Sequence, residues 1–410
     1  MNELLRKLKD SGLILDNAQI NKNPAKNTKY RLEDIFHGRW DCNESGEVFI
    51  MHEVFPFGQK HGSITISKTI NSAAFFPFEN MPSNREAKIN ETVFFDIETS
   101  SLSFGAGSFV FLIGISHFSE IGLETSLLLI DHPSAEKALL KRFNNEIGKF
   151  GIVCSYNGKT FDAPFIRNRY SLYRVDNILE TKYHIDLLTY ARRLWKLRID
   201  SCKLSHVEAT ILHLKRDDGE IPGWMVPQVF FDFLNEQDPH LLEGILYHNK
   251  IDVISLAALY QHMSELLTSP VGNDRLDPRD CFSLAKLHES SGEYNEAKYF
   301  YQLGLNANKD KELAKKYYWN FGMLLKRIGD YSDAVQYWEK SAAKGGINAC
   351  VELAKFYEHK CKDYNQALRW AAKAREIISI KNLETDDTRQ KLQLDYRIDR
   401  INRKIVQNEK

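Results

Sequence analysis

The sequence predicts an α/β domain with a mixed β-sheet, followed by an all-α domain of helical repeats. Three observations support this fold class. Strand-sized apolar segments and an amphipathic helix alternate between residue 91 and about residue 266. Two carboxylates, Asp96 and Glu98, lie inside the first of these strands, in the segment FFDIETSSL. A pattern of an acid, a tyrosine and an alanine then recurs after about residue 278.

The α/β domain is predicted from the order of its elements. TVFFDIE, SFVFLIGIS and ETSLLLID are three predicted strands joined by short turns. An amphipathic helix, AEKALLKRFNNEIGKF, follows them and leads to the strand GIVCSY. Strands in series followed by alternating helix and strand favour a mixed sheet with an antiparallel edge over an all-parallel sheet. Further helices are predicted around 184–196 and 241–264.

The flanking regions carry weaker patterns. Residues 1–88 are predicted to form a partly β leader region that shapes the domain after it, since EVFIMHEVFPFG alternates only loosely. The segment ENMPSNREAKIN has the composition of an exposed connector. The tail, residues 379–410, is charged and is predicted to be a solvated or capping helix.

Helical repeats are predicted for residues 276–378. The tyrosines are 37 and 33 residues apart, close to the tetratricopeptide period of about 34. Such helix pairs usually present a concave face to a protein partner, although the array would also serve to brace the preceding domain. Each copy has a tyrosine followed three residues later by an alanine: Tyr294 and Ala297, Tyr331 and Ala334, Tyr364 and Ala367.

Composition excludes several classes of protein. The 410 residues include 55 basic and 55 acidic side chains, which argues against a strongly basic nucleic-acid coat protein but allows a local basic groove. The six cysteines form no CxxC pair, so a disulfide or zinc framework is not expected. The start, MNELLRKLKDSG, lacks a signal-peptide core, and no segment is apolar enough to span a membrane. We expect a cytoplasmic protein without a membrane partner.

The carboxylate pair in FFDIETSSL needs a cation. Strand side chains alternate between faces, so Asp96 and Glu98 point the same way while Phe95 and Ile97 pack on the other face. Two like charges side by side repel each other unless a cation lies between them.

Two further acids suggest what that cation is. Asp162, in SYNGKTFDAPFIRNRY, follows a strand and an Asn-Gly turn, and Asp252, in ILYHNKIDVISLAAL, lies on an apolar helix. Alone, Asp162 would be a helix N-cap and Asp252 an ordinary solvated acid. Together, four carboxylates offer the oxygen ligands that suit Mg²⁺ or Mn²⁺. Two such ions about 3.5 to 4 Å apart would hold both reacting oxygens of a phosphodiester.

A family resemblance rests on these residues and their surroundings. FFDIETSSL, FLIGIS, SYNGKTFDAPFIRNRY, YHIDLLTYARRLWK, SCKLSHVEATILHLKRDDGEIPG and YHNKIDVISL resemble the YprB-type ribonuclease-H-like exonucleases of bacteria. These are a branch of the four-acid (DEDD) 3′–5′ exonuclease superfamily. The resemblance covers about residues 91–266, and HEVFPFGQKHG is similar to the same family's leader. That group also often carries C-terminal tetratricopeptide repeats.

The resemblance assigns roles to the four acids. Asp96 and Glu98 match the first motif, Asp162 the second and Asp252 the last. It implies a ribonuclease-H-like fold, metal ligation by these carboxylates and hydrolysis of phosphodiesters from the 3′ end of single-stranded DNA or RNA.

One position departs from the family pattern. Tyr-type members have a tyrosine four residues before the last aspartate and His-type members a histidine five before, whereas here His248 is four before and Tyr247 five before. His248 shares the helical face of Asp252 and is predicted to orient or deprotonate the water, with Tyr247 as the alternative. Asn157 and Lys159 flank the second motif and are predicted to contact the substrate backbone, although Lys159 would serve equally as a solvated lysine.

The same sequence features also allow two other functions. The α/β domain would be a catalytically idle platform that binds nucleic acid, while the repeats recruit a protein partner. Alternatively, it would be an endonuclease that cuts internally at a structured junction.

Overall fold

The structure is a computed structural model, which describes residues 30–79, 81–82, 88–101, 107–216, 221–268, 276–380 and 387–408. It divides into two compact units, one of Met1–Arg192 with Ser201–Thr268 and one of Arg193–Asp200 with Ser269–Lys410. Within the described ranges, no helix combines the length and the hydropathy needed to cross a bilayer.

The described part of the first unit is built on a seven-stranded mixed sheet with the strand order β1-β2-β7-β6-β5-β8-β9. The strands β5, β8 and β9 run parallel to one another, and all other neighbours are antiparallel. This confirms the predicted mixed sheet with an antiparallel edge. The strands are β1 (Arg39–Asn43), β2 (Gly46–Pro56), β5 (Thr92–Thr99), β6 (Val110–Phe118), β7 (Gly122–Leu129), β8 (Ile152–Ser155) and β9 (Tyr183–Asp186), with a separate hairpin of β3 (Lys60–His61) and β4 (Ile64–Thr65).

Helices surround this sheet. The α-helices are α1 (Leu32–Ile35), α2 (Glu136–Ile147), α3 (Asp162–Tyr173), α4 (Leu187–Trp195), α5 (Leu204–Val207), α6 (Val226–Glu236) and α7 (Glu243–Thr268). A π-helical turn, Glu208–Leu212, continues α5, and 3₁₀ turns cover Ser72–Phe78, Ile89–Glu91, Pro133–Ala135, Ile178–Thr181 and Pro239–Leu242.

The central strands are buried on both faces. Successive residues of a strand point to opposite faces, so Phe95 and Asp96 identify what covers each side. Phe95 packs against Phe143 of α2, with ring centroids 5.6 Å apart. Asp96 accepts a hydrogen bond from Asn249 of α7. The helices α2 and α7 therefore cover opposite faces of β5.

The predicted strands and helices of this unit are observed with small shifts, with one correction and one addition. The segment 183–186 is the strand β9, not the start of a helix, because it pairs in parallel with β8 and buries Ile185. In the leader region, β2 pairs with β7 over eight residues, so the leader supplies two strands to the same sheet. Residues 1–29 of the leader lie outside the described residues.

The described part of the second unit is helical, which confirms the predicted all-α domain. Each repeat tyrosine is the first residue of the second helix in a pair, and each repeat alanine is fully buried. Membership of these pairs in the tetratricopeptide class stays a prediction. The pairs are α8 (Pro278–Ser291) with α9 (Tyr294–Ala307), α10 (Lys311–Arg327) with α11 (Tyr331–Ala343), and α12 (Ile347–Phe356) with α13 (Tyr364–Ile380).

A last helix, α14 (Asp387–Asn408), packs against α13. Its apolar residues Leu394 and Ile401 are buried, while most of its other described side chains face solvent or are half-buried. The charged tail is therefore largely a helix that covers the end of the described array.

Candidate active site

The four predicted acids come together in the first unit. Asp96 and Glu98 lie on β5, Asp162 is the first residue of α3, and Asp252 lies within α7. Asp162 and Asp252 are buried, and Asp96 and Glu98 are half-buried. The helix N-cap is Phe161, so Asp162 does not cap α3 with its side chain. Its carboxylate at the first helical position is still favoured by the helix dipole.

Burial and mutual repulsion destabilise the ionised form of this cluster. Burial, with the charges of Asp252, Asp162 and Glu98, raises the pKa of Asp96 well above its ordinary value. Burial and the charges of Asp252 and Asp162 do the same to the pKa of Glu98. Burial, Asp186 and Asp252 raise the pKa of Asp162 to about 8. Binding of protons or of a cation therefore stabilises the cluster.

One cation is supplied by the chain itself. Arg216, whose side chain is 8% exposed, forms an ion pair with Asp252. The Arg216 guanidinium donates two hydrogen bonds to Glu208, from Nε to Oε2 over 2.6 Å and from Nη2 to Oε1 over 2.7 Å. This two-point geometry fixes the plane of the guanidinium. Sequence reasoning missed both residues, since neither adjoins any of the four predicted acids and Arg216 lies 36 positions before Asp252.

A third missed residue is Asn249. Its Nδ2 donates to Asp96 Oδ2 over 2.9 Å, which favours the ionised carboxylate. Its Oδ1 is buried and finds no hydrogen-bond donor among the described residues. The sequence carried a signal only for its place beside Asp252, because a residue three positions before Asp252 lies on the same helical face.

The side chains of His248 and Tyr247 lie in different surroundings. His248 Nε2 lies 3.6 Å from Asp252 Oδ2 and 3.9 Å from Glu98 Oε1. Its Nδ1 lies 3.4 Å from Arg216 Nη1. Tyr247 instead lines a cavity of about 540 Å³ whose described walls include none of the four acids.

Asn157 and Lys159 shape the loop before α3. Their backbone amides donate to the two carboxylate oxygens of Asp186, over 2.8 and 3.1 Å, and Asn157 adopts a positive φ of 66°. The Lys159 ammonium lies 3.0 Å from Glu79 Oε2. Asp186 also accepts from the amide of Leu188, at the start of α4. In the structure, both residues predicted to contact substrate therefore already interact with neighbouring acids: Asn157 with Asp186, and Lys159 with Asp186 and Glu79.

The donor set fits a divalent cation, although the side chains are not arranged as a finished metal site. Among the described residues, no group of three or more His, Cys, Asp or Glu side chains is positioned to hold a metal ion. The Arg216 ion pair engages one carboxylate of the set. The fit rests on four clustered carboxylates, three with raised pKa values, beside an unsatisfied amide oxygen. Oxygen donors of this kind suit Mg²⁺ and Mn²⁺.

Comparison with known proteins gives one family and one relative of similar length. Residues 93–264 match the RNase_H superfamily. The chain is 32% identical over 370 residues to the uncharacterized protein YprB of Bacillus subtilis (strain 168). The aligned region covers 87% of this chain and 86% of YprB.

Two solved structures show weaker likeness. The family B DNA polymerase of the hyperthermophilic archaeon Pyrobaculum calidifontis is 14% identical with a TM-score of 0.37, covering 62% of this chain and 33% of the polymerase. The crystal structure of MamA is 18% identical with a TM-score of 0.26, covering 41% of this chain and 98% of MamA. Both scores are too low to bear on fold or activity.

Proposed function

Because this chain belongs to the YprB family and carries an RNase_H superfamily domain, we propose that it is a metal-dependent nuclease. In this proposal it hydrolyses phosphodiester bonds and removes nucleotides from the 3′ end of single-stranded DNA or RNA. The observation that carries the proposal is the cluster of four carboxylates from β5, α3 and α7, since such a buried like-charge cluster is typical of a functional site.

The four carboxylates are the proposed metal ligands. Asp96, Glu98, Asp162 and Asp252 would hold two Mg²⁺ or Mn²⁺ ions. When bound, such ions neutralise the charge that develops on the phosphate and activate a water molecule. Asn249 supports Asp96 by donating to its Oδ2, which keeps that carboxylate oriented and ionised.

His248 is proposed to orient the attacking water. Its Nε2 faces Glu98 and Asp252, so a water bound between these groups would lie within reach of the imidazole. Arg216 donates towards Nδ1, and this contact favours the tautomer with the proton on Nε2. Nε2 can accept a proton from the water only after Arg216 has released Nδ1.

A cleavage assay tests this function. Single strands of DNA and RNA, labelled at the 5′ or the 3′ end, are incubated with the protein and Mg²⁺ or Mn²⁺. EDTA and the Asp96→Ala variant serve as controls. We expect a ladder that shortens from the 3′ end and disappears with EDTA and in the variant. Internal cuts would show an endonuclease, and activity above about a tenth of the parent in Asp96→Ala would contradict the site assignment.

A second candidate function is favoured by Arg216. A guanidinium that is already paired with Asp252 would neutralise part of the cluster permanently and leave a catalytically idle platform for nucleic acid. Metal binding separates the two candidates, because a ligand that binds only the folded state raises the melting temperature. If the protein is a nuclease, we expect Mn²⁺ to raise the melting temperature of the parent and not that of the Asp96→Ala variant. If the domain is an idle platform, we expect Mn²⁺ to leave the melting temperature of both proteins unchanged.

A further inference from the structure

An exposed tryptophan stands beside the carboxylate cluster. The chain has six tryptophans, and five of them are buried or half-buried. Trp224 is the exception, with 73% of its surface exposed. An indole buries a large flat apolar face when a ligand stacks on it, so an exposed tryptophan next to a polar site is a candidate ligand surface.

The backbone holds Trp224 in place. The amide of Met225 donates to the carbonyl of Pro222 over 2.8 Å, which closes a tight turn around Gly223 and Trp224. The turn leads directly into α6, whose first residue, Val226, is fully buried. The exposure of the indole is therefore a property of an anchored turn.

This turn lies against His248. A Cβ placed on Gly223 would be 3.9 Å from His248 Nε2, the ring nitrogen that also faces Glu98 and Asp252. Adjacent Cα atoms are about 3.8 Å apart, so Trp224 begins one residue from the point where this turn approaches His248.

Arg216 also helps to line a surface suited to phosphates. His213 and Lys215 are exposed and, with Arg216, help to line an open cleft of about 410 Å³. Arg216 also contacts Asp252 and His248, so this one residue connects the cleft with the histidine against which the Trp224 turn lies. Cationic groups beside an aromatic platform are the combination that binds single-stranded nucleic acid.

Resting on the proposed nuclease function, we infer that Trp224 is a stacking platform for an unpaired nucleobase next to the scissile phosphate. Every base has a flat π-face, so this contact tolerates any sequence. Bases in a duplex already stack on one another and gain little from the indole. Trp224 thus makes the site selective for single strands.

Binding measurements test this inference. The uncleaving Asp96→Asn variant is the parent for all proteins compared, and dissociation constants are measured in Mn²⁺ for labelled oligo(dT) and for a blunt duplex. Adding Trp224→Ala should weaken single-strand binding about tenfold or more, and adding Trp224→Phe should restore most of the affinity. Duplex binding should change much less.

The matched control is Tyr183→Ala. Tyr183 is another exposed aromatic of the same unit, 37% exposed, and it lies at the start of β9, at the opposite strand end from Asp186. This variant should bind both oligonucleotides like the parent.

An abasic scan gives a readout that loss of folding cannot imitate. Single abasic sites are moved along the oligonucleotide, and one position should weaken binding to the parent but not to the Trp224→Ala protein. Oligonucleotide binding should also quench the tryptophan fluorescence of the parent, and Trp224→Phe should remove that quenching.

The outcomes separate the two proposals. Equal single-strand affinity of the parent and the Trp224→Ala protein would overturn the stacking platform and leave the nuclease proposal standing. Failure of the Asp96→Asn protein to bind any strand would also overturn the stacking platform, whereas the nuclease proposal is decided by the cleavage assay on the unaltered protein.

Discussion

At the scale of single residues, the main feature of the site is that neighbouring side chains stabilise a cluster of carboxylates that repel one another. Asp96 is stabilised by the Asn249 amide, and Asp252 by the Arg216 guanidinium. The Arg216 side chain is only 8% exposed and depends on Glu208 for its position. Removing one partner from a buried ion pair leaves the other charge uncompensated, which costs more than the pair is worth.

Arg216→Met is predicted to destabilise the metal-free protein by about 3 kcal/mol, because Glu208 and Asp252 then lose their shared cation. The same change should enlarge the rise in melting temperature on adding Mn²⁺, since the ion no longer competes with a guanidinium. Thermal unfolding with and without Mn²⁺ measures both effects. The control is Arg142→Met, which removes an arginine that pairs with Asp41 and Glu146. An unchanged Mn²⁺ response in Arg216→Met would contradict the prediction.

His248 and Tyr247 give a matched pair of variants on adjacent positions. His248→Gln is predicted to lower the cleavage rate about 100-fold or more, because it removes the imidazole that faces Glu98 and Asp252. Tyr247→Phe should leave the rate within about threefold of the parent, since Tyr247 lines a separate cavity. Single-turnover cleavage rates in Mg²⁺ decide the point, and a reversed order of the two variants would reassign the role.

At the scale of elements, the site depends on the close approach of α7 to the sheet. Gly114 of β6 lies opposite Asp96 of β5 in the strand register. A Cβ at Gly114 would overlap Asn249 Oδ1 and lie 2.9 Å from Val253 Cγ1. The hydroxyl of Ser116, two residues on along β6, donates to the Val253 carbonyl over 2.8 Å. The absence of a side chain at Gly114 therefore lets α7 place Asn249 against Asp96.

Gly114→Ala is predicted to reduce the free energy of unfolding of the first unit by about 1–3 kcal/mol, because the added methyl group forces α7 away from β6. It should also weaken the Mn²⁺-induced rise in melting temperature, since Asn249 moves off Asp96. Urea unfolding with and without Mn²⁺ measures both quantities. Gly107→Ala is the control, because a Cβ there has no described neighbour within 4 Å. Equal behaviour of the two variants would refute this account of α7.

At the scale of the whole molecule, the end of the helical unit is secured by one buried acid. The side chain of Glu358 is 0% exposed and accepts hydrogen bonds from three cations of α14, namely Arg397, Arg400 and Lys404. Burial alone would raise the pKa of Glu358, but the bonds from Arg400 and Lys404 outweigh it and lower this pKa to about 2. With Leu394 and Ile401, Glu358 attaches a highly charged helix to the array.

Glu358→Gln is predicted to loosen α14 by about 3 kcal/mol, because three cations lose their buried counter-charge. Hydrogen exchange of the α14 amides, with Ile401 as the reference position, should speed up by about 100-fold. Glu312→Gln is the control, because Glu312 pairs with Lys315 at an exposed position and should change exchange little.

The same contact gives a pH dependence with a defined sign. The pKa of Glu358 is lowered on folding, so the folded state favours the ionised acid. Its contribution is complete above the unfolded pKa of about 4.3 and is lost as the pH falls towards about 2. Attachment of α14 measured by hydrogen exchange should therefore weaken over this acidic range. Loss of the attachment between pH 5 and 8 would contradict it.

Local patterns made much of the fold and half of the site predictable. Period-two alternation gave β5 and its two acids, and the apolar helix around Asp252 gave α7. The repeat tyrosines marked the starts of three helices. The strand β9 was missed because its four residues carry too little pattern and depend on pairing with β8.

The sequence by itself determined which carboxylates share a face and which element carries each one, because backbone periodicity fixes the direction of neighbouring side chains. Only the tertiary structure decided that Asn249 supports Asp96 across 153 positions of the chain and that Arg216 pairs with Asp252 across 36. It also decided that β2 joins the sheet beside β7. Contacts of this range depend on how the elements pack, and no local spacing encodes them.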